Sequence, residues 1–405
     1  MKDDTGNSAT PKRVLWSVTP EQTPSTYVHS LASGIREHGV EVTPLSLRAV
    51  CLSSGQIVHI QWPEHVSRGG GRVKTLLKHA RAGFLLAAFR LRKHHLVITV
   101  HNRRPHYGSS WFDDFFRSSV YRMADAVIGL VPAHLDILAA DGTLPPGTRR
   151  EVIPHPIVRS ISADQADRPQ SGPLVILGQI HPYHLIEPFL DALEGARSQR
   201  KVLVIGWVGD EELLARLTQR ADVSENLEIV AGFMPENELD EVLRDAAAVV
   251  ALQRNNFNSG APFDALPRGI PIILSSGPQA DELAAGVGHN WVYPVSDPPT
   301  QEEMSGLDQW LAKTDRGRRE LEHLDPRRVA ETHLPCTDPS SSPPHVPGYG
   351  HYDCQWLSER PRIFSISARS AAKCSTSRRS STLRNELLAG ETRSTTAARR
   401  PPPGR

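Results

Sequence analysis

Twelve short apolar runs alternate with helix-patterned segments along most of this chain, and no hairpin turn joins one run to the next. In the first half the runs fall at 14–18, 40–45, 57–62, 96–100, 126–131 and 151–156. In the second they fall at 174–177, 202–208, 227–230, 249–252, 270–274 and 291–294. Consecutive strands separated by a helix must pair in parallel, because only a crossover brings the chain back to the same end of the sheet. The pattern predicts an α/β chain of two doubly wound parallel sheets. The predicted parts are a first domain over 12–158, a polar linker over 159–173 and a second domain over 174–334, with 300–333 as its closing helices.

The segment 335–405 has a different texture, with 12 Ser, 10 Arg and 9 Pro and no sustained periodicity. Such a stretch is expected to be disordered. So abrupt a shift is also what an out-of-frame reading of a GC-rich gene would give. The segment carries 11 Lys and Arg against 5 Asp and Glu, so the net charge of +1 leaves a mildly acidic body. That balance gives no reason to expect a nucleic-acid partner. Cys51 stands alone before the tail, which excludes a disulfide framework there, and no Cys/His spacing suits zinc. The N-terminus lacks the apolar core of a signal peptide and no apolar run has the length of a membrane span, so a cytoplasmic protein is expected.

Chemistry concentrates in 249–275, VVALQRNNFNSGAPFDALPRGIPIILS. An apolar strand empties into a polar loop, a short helix begins near Ala261 and closes at Gly269, and a second buried strand follows. Backbone N–H groups at Ser259, Gly260 and Ala261 would face an anion there, with Gly260 allowing close approach. The plainer reading is a helix N-terminus capped by Asn258 or Ser259.

The segments IVHIQWPE (57–64), VITVHNRRPH (97–106), ADAVIGLV (124–131), IPHP (153–156), LGQIHPYH (177–184) and NSGAPFDALPRGIPII (258–273) occur in one order. In that order the chain resembles bacterial group 1 glycosyltransferases of the GT-B fold over about 14–334. The resemblance implies two facing Rossmann-like domains, the second holding a nucleoside diphosphate sugar and the first a glycan or lipid-linked acceptor. It also implies hexosyl transfer with retention of configuration and no cofactor or metal.

Carried over residue by residue, the resemblance makes Asp264 the acid that meets the donor ribose, with Asn256 where a first acid is expected. Asn258, Ser259, Gly260 and Ala261 would hold the diphosphate. The loop from Gly178 has His181 and His184 where Arg and Lys are expected, and histidine supplies positive charge only when protonated. His101 would orient donor sugar hydroxyls, with Asn102 and His106 beside it. Glu64 and His65, at the end of the third strand, would face the acceptor, and His155 sits where the chain leaves the first domain. A sugar-nucleotide 2-epimerase, and a binding protein that has lost catalysis, share this fold and stand as alternatives.

The segment 72–93, RVKTLLKHARAGFLLAAFRLRK, interleaves basic and apolar residues at helical spacing. It reads either as a helix lying on an anionic membrane, at the inner face, or as a core helix with a solvated basic face.

Overall fold

The structure is a computed structural model that describes residues 13–334 except 24, 68–71, 104–109, 160, 162–170, 255–256 and 314–319. All of these belong to one compact unit, 1–357. The 335–405 tail, His106 and Asn256 lie outside the described residues.

Strands β1 (Arg13–Trp16), β2 (Glu41–Pro44), β3 (Ile57–Gln61), β4 (His95–Val100), β5 (Ala126–Gly129) and β6 (Arg149–Val152) form one sheet. Strands β7 (Leu174–Ile180), β8 (Val202–Val208), β9 (Leu227–Ala231), β10 (Ala248–Ala251), β11 (Ile272–Ser275) and β12 (Val292–Val295) form a second. Their orders are β2-β1-β3-β4-β5-β6 and β12-β11-β10-β7-β8-β9. Every pairing is parallel.

Helices α1 (Thr26–Glu37), α2 (Leu47–Leu52), α3 (Pro63–Ser67), α4 (Arg72–Leu91), α5 (Trp111–Met123) and α6 (Pro132–Ala140) accompany the first sheet. Helices α7 (Ile186–Gly195), α8 (Glu211–Asp222), α9 (Glu236–Arg244), α10 (Pro262–Ala265), α11 (Pro278–Val287), α12 (Gln301–Leu311) and α13 (Pro326–His333) follow.

Every residue of β3, β5, β10 and β11 is buried. A parallel strand covered by helices on both faces is mostly apolar, which is why these segments read as apolar runs, with His59 and Gln61 of β3 and Ser275 of β11 as buried polar exceptions. Fully burying one such side chain contributes about 1.5–3 kcal/mol. Helix starts are fixed by local chemistry. Ser110 and Asp113 form a capping box at α5, and Thr300 and Glu303 form another at α12.

Strand order reverses between β1 and β3 in the first sheet and between β7 and β10 in the second. Such switch points open a crevice beyond the strand C-termini, because the flanking connections leave in opposite directions.

Two expected boundaries are corrected. Ile153 packs in the core of the first sheet, but Ile157 already packs in that of the second, so the chain crosses over inside 12–158. The Ile157 N–H bonds to the Leu324 carbonyl and the Val158 N–H to the Phe263 carbonyl. The 300–333 segment also divides. Met304, Leu307, Trp310 and Leu311 of α12 join the second core, whereas Val329 and Ala330 of α13 pack with Val14, Leu31 and Ile35 of the first. Gly34 permits this return, since a Cβ there would lie 2.4 Å from the Pro326 carbonyl oxygen. Helical periodicity marks an apolar face but not which core receives it, so a reading by chain order assigns α13 to the wrong domain.

Candidate functional site

One pocket lies at the switch point of the second sheet, and another lies beyond the C-terminal ends of β3 and β4 in the first. The pocket of the second sheet is lined by Leu177 and Gln179 of β7, Val250 and Ala251 of β10, and by His184, Ser259 and Ala261. The loop after β7 and the loop after β10, both expected to hold the donor, therefore meet. They are tied by backbone. Gln253 pairs with His184, the Arg254 N–H bonds to the Tyr183 carbonyl at 2.8 Å, and the Leu185 N–H to the Leu252 carbonyl at 3.3 Å. Gly178, at φ +109°, has open space where a Cβ would point.

His184 Nδ1 accepts the His181 N–H at 2.9 Å. With Nδ1 accepting, the proton of a neutral ring sits on Nε2. Burial pushes the His181 imidazole below its usual range. It is therefore mostly neutral near pH 7, and its ring stacks on Tyr183 at a centroid distance of 5.2 Å.

The loop 258–261 is held from behind by a residue that sequence reasoning did not single out. Gln279, buried in the first turn of α11, accepts the Ser259 N–H through Oε1 at 2.8 Å. It also donates Nε2 to the Ser259 carbonyl at 2.7 Å and to Asn258 Oδ1 at 3.1 Å. The Ser259 N–H is thus spent inside the protein, contrary to its expected part in holding a diphosphate. Gly260 and Ala261 remain as the backbone donors in that loop. The signal was SSGPQADE, where a Pro-started helix directly follows a strand and places its first polar side chain beside the neighbouring loop.

Asp264 sits in an ionic cluster. Its Oδ1 receives Arg159 Nε at 3.1 Å and Arg268 Nε at 3.4 Å. Both arginines also pair with Asp240 of α9, and Arg159 with Glu236. Arg159, read from sequence as the first linker residue, is therefore a fixed ionic tie. Its three carboxylate partners lie 77 or more positions further along the chain, which no local pattern reveals.

The pocket of the first sheet is lined by Trp62, Glu64, His101, Asn102, Arg117 and Tyr121. Glu64 does not end β3 but opens α3, because Trp62 turns the chain at φ +47° and Pro63 starts a helix. A bulky residue in that region is strained, and such strain concentrates at ligand sites. The His101 ring stacks on Trp62 with centroids 4.0 Å apart. Its Nε2 is buried and has no hydrogen-bond partner among the described residues. Burial, then the nearby His155, His59, His65 and His134, hold His101 well below the usual histidine range. A neutral ring with a free nitrogen can orient a hydroxyl.

The two pockets are joined by a line of rings. His101 meets Tyr27 edge-on at 4.7 Å, Tyr27 meets His155 at 4.8 Å, and His155 stacks on Phe263 of α10 at 4.1 Å. A Cβ on Gly260 would lie 3.7 Å from His155 Nε2, so the donor-side loop rests on the first domain at this ring. His134 of α6 stacks in the same way on Phe257, at 3.7 Å.

No protein-family model matches the chain. It is 25% identical over 291 residues to a GDP-mannose:glycolipid 4-beta-D-mannosyltransferase of Xanthomonas campestris pv. campestris, covering 71% of this chain and 81% of the relative. A second protein of that name and organism is 26% identical over the same length and shares.

Among solved structures, the chain resembles a glycosyltransferase of avilamycin A biosynthesis, with TM-score 0.51, 18% identity and coverage of 80% of this chain and 96% of that one. It also resembles sucrose-phosphate synthase from Thermosynechococcus elongatus, with TM-score 0.54, 16% identity and coverage of 79% and 94%. Anabaena HepE, solved with UDP and glucose, gives TM-score 0.53, 13% identity and coverage of 81% and 95%.

The chain has the fold of the GT-B glycosyltransferases and is similar in sequence to hexosyltransferases. The match spans both domains, so the order of motifs reflects common architecture and not a shared half. The epimerase alternative gains no support from these matches.

Proposed function

We propose that this glycosyltransferase moves a mannosyl or related hexosyl unit from a nucleoside diphosphate sugar to a lipid-linked glycan, with no metal or cofactor. The observation that carries the reading is the ring line from His101 to Gly260. It connects the acceptor-side pocket to the donor-side loop through Tyr27 and His155. The relatives' use of GDP-mannose and a glycolipid supports the donor and acceptor classes.

In this reading the diphosphate lies against Gly260, Ala261 and His184, whose N–H groups stabilise the charge that develops as the glycosidic bond breaks. Asn258 and Gly178 adjoin residues that line that pocket, Asn102 lines the acceptor-side pocket, and Asn256, Asp264 and His106 keep the roles that the motif resemblance implies. His101 orients a sugar hydroxyl from the other domain.

A β-mannosyl product, as in the relatives' name, requires inversion if the sugar nucleotide is α-linked. Inversion needs a base opposite the leaving group, and Glu64 is the carboxylate of the first-sheet pocket. Inversion with Glu64 as base is therefore favoured over the retention that the motif resemblance implied. Contact with an anionic membrane through 72–93 belongs to the same reading, because a lipid-linked acceptor presents its glycan at a bilayer surface.

The test is a transfer assay with GDP-mannose, UDP-glucose and other sugar nucleotides against a lipid-linked oligosaccharide, with and without EDTA. NMR of the product then reads the anomeric configuration. Transfer from a sugar nucleotide that survives EDTA is expected. Hydrolysis or epimerisation without transfer would overturn the reading.

A further inference from the structure

Between Glu64 and Asp113 the chain has no acidic residue, and α4 lies inside that stretch. One face of α4 is committed to the protein, since Ala82, Leu85, Ala88 and Phe89 are buried in the core of the first sheet. The opposite face is apolar as well. Val73, Leu77, Ala80, Phe84, Ala87 and Leu91 recur at spacings of four and three and are all exposed. Leu77 is 65% accessible, Phe84 69% and Leu91 80%. At ~1.5 Å per residue the stripe is roughly 27 Å long. The helix packs into the core as the plainer reading of 72–93 expects, but its exposed face carries this apolar stripe as well as exposed Lys74 and Arg90. On α5, Trp111 is 79% accessible, and both it and Phe115 contact the ring of Phe112, which stacks on His79 of α4 at 4.2 Å.

We infer that the exposed stripe of α4, extended by Trp111 and Phe115 of α5, lies in the headgroup region of an anionic bilayer. The inference rests on the proposed lipid-linked acceptor. The flanks of the stripe decide between occupants. Lys74, Arg81 and Arg90 border it, and no acid lies on α4. The four-and-three spacing would also suit pairing with a second copy, but self-pairing would set these cations against one another with no acid to answer them. An anionic surface answers them all, and exposed Leu, Phe and Trp beside basic residues is the composition of a helix lying in a membrane interface.

The surface is also built into the acceptor pocket. Lys78 of α4 donates to the His65 carbonyl at 3.2 Å, and Ser67 donates to the buried Asp113 of α5 at 2.7 Å, so α3 is held at its middle and at its C-terminal end. Because α3 carries Glu64, docking by α4 and α5 would bring the pocket to the plane where a lipid-linked glycan emerges.

The experiment is co-sedimentation of the full chain with vesicles of phosphatidylcholine alone and of phosphatidylcholine with phosphatidylglycerol. Wild type is compared with the double variant Leu77→Glu/Phe84→Glu, with thermal unfolding as a fold control. Binding to anionic vesicles only is expected, with partitioning lowered by about tenfold or more in the variant. The variant should keep the wild-type transfer rate to a water-soluble acceptor analogue. Absent binding, or binding that the variant retains because the basic tail carries it, would overturn the inference. So would a dimer in sedimentation velocity that the same substitutions dissolve. If no acceptor is glycosylated yet vesicle binding follows the stripe, the function is wrong and the docking surface stands.

Discussion

The imidazole of His101 lies flat on the indole of Trp62, their planes 18° from parallel, and Tyr27 closes the ring's edge. Packing thus fixes the ring while leaving Nε2 without a partner among the described residues, the arrangement of a group that positions a ligand. His101→Ala should lower kcat by about 100-fold with the fold intact. His101→Asn, which keeps a hydrogen-bonding group, should recover part of that loss. Steady-state rates alongside thermal unfolding would check both, and an unchanged rate in His101→Ala would remove the residue from the site.

Gln279 satisfies the backbone N–H and the carbonyl of Ser259 with the two ends of one amide. In Gln279→Leu both buried groups lose their partner, at about 1–3 kcal/mol each. The loop carrying Gly260 would also be released. Expected are a clear drop in thermal stability and a donor KM raised more than kcat is lowered. Gln279→Glu separates the roles. It can still accept the Ser259 N–H but cannot donate to the carbonyl, so its donor KM should fall between wild type and Gln279→Leu.

The architecture was legible because buried parallel strands are mostly apolar, and each of the twelve runs overlaps a strand. What escaped was long-range. No pattern near Arg159 announces that it will pair with Asp264, and nothing in SSGPQADE names Ser259 as the partner of Gln279. His101, Glu64, Ser259 and His184 could be placed at their pockets because each follows a recognisable strand. Tyr27 and Trp62 could not, because their part depends on rings from four separate segments converging. The exposed face of α4 was ambiguous for another reason: helical spacing shows two apolar faces but not which one the core takes.

Asp264, Arg159 and Arg268 form a tie between the crossover and the second domain. Its members are 11–28% exposed, so screening by solvent is only partial. Asp264→Ala should destabilise by about 1–2 kcal/mol, because two guanidinium groups lose a shared acceptor. Arg159→Ala added to it should cost less than it does alone, since the pair with Asp264, one of three that Arg159 makes, is already lost. Urea unfolding of both single variants and the double variant measures the coupling, and strict additivity would count against a shared tie.

Acid should unfold this protein through its buried histidines. Burial depresses His134, His155 and His333 to about 4 and His59, further lowered by the neighbouring His333, to about 3. Above pH 6.5 these rings are neutral in both states and do not change stability with pH. As pH falls below 6.5 the unfolded chain takes up protons that the folded chain refuses until about pH 4. Stability is therefore lost across that window and levels off beneath it. At pH 5 each ring contributes a loss of about 2 kcal/mol, and four together rival the ~5–15 kcal/mol net stability of a typical domain. The unfolding temperature should hardly move from pH 8 to 7 and fall steeply between 6.5 and 4.5. His333 lies on α13 with its ring 6.0 Å from that of His59, so His333→Phe removes one titrating group and eases protonation of the other. Its acid limb should be shallower than that of wild type, and a superimposable pH profile would show that these rings do not govern acid stability.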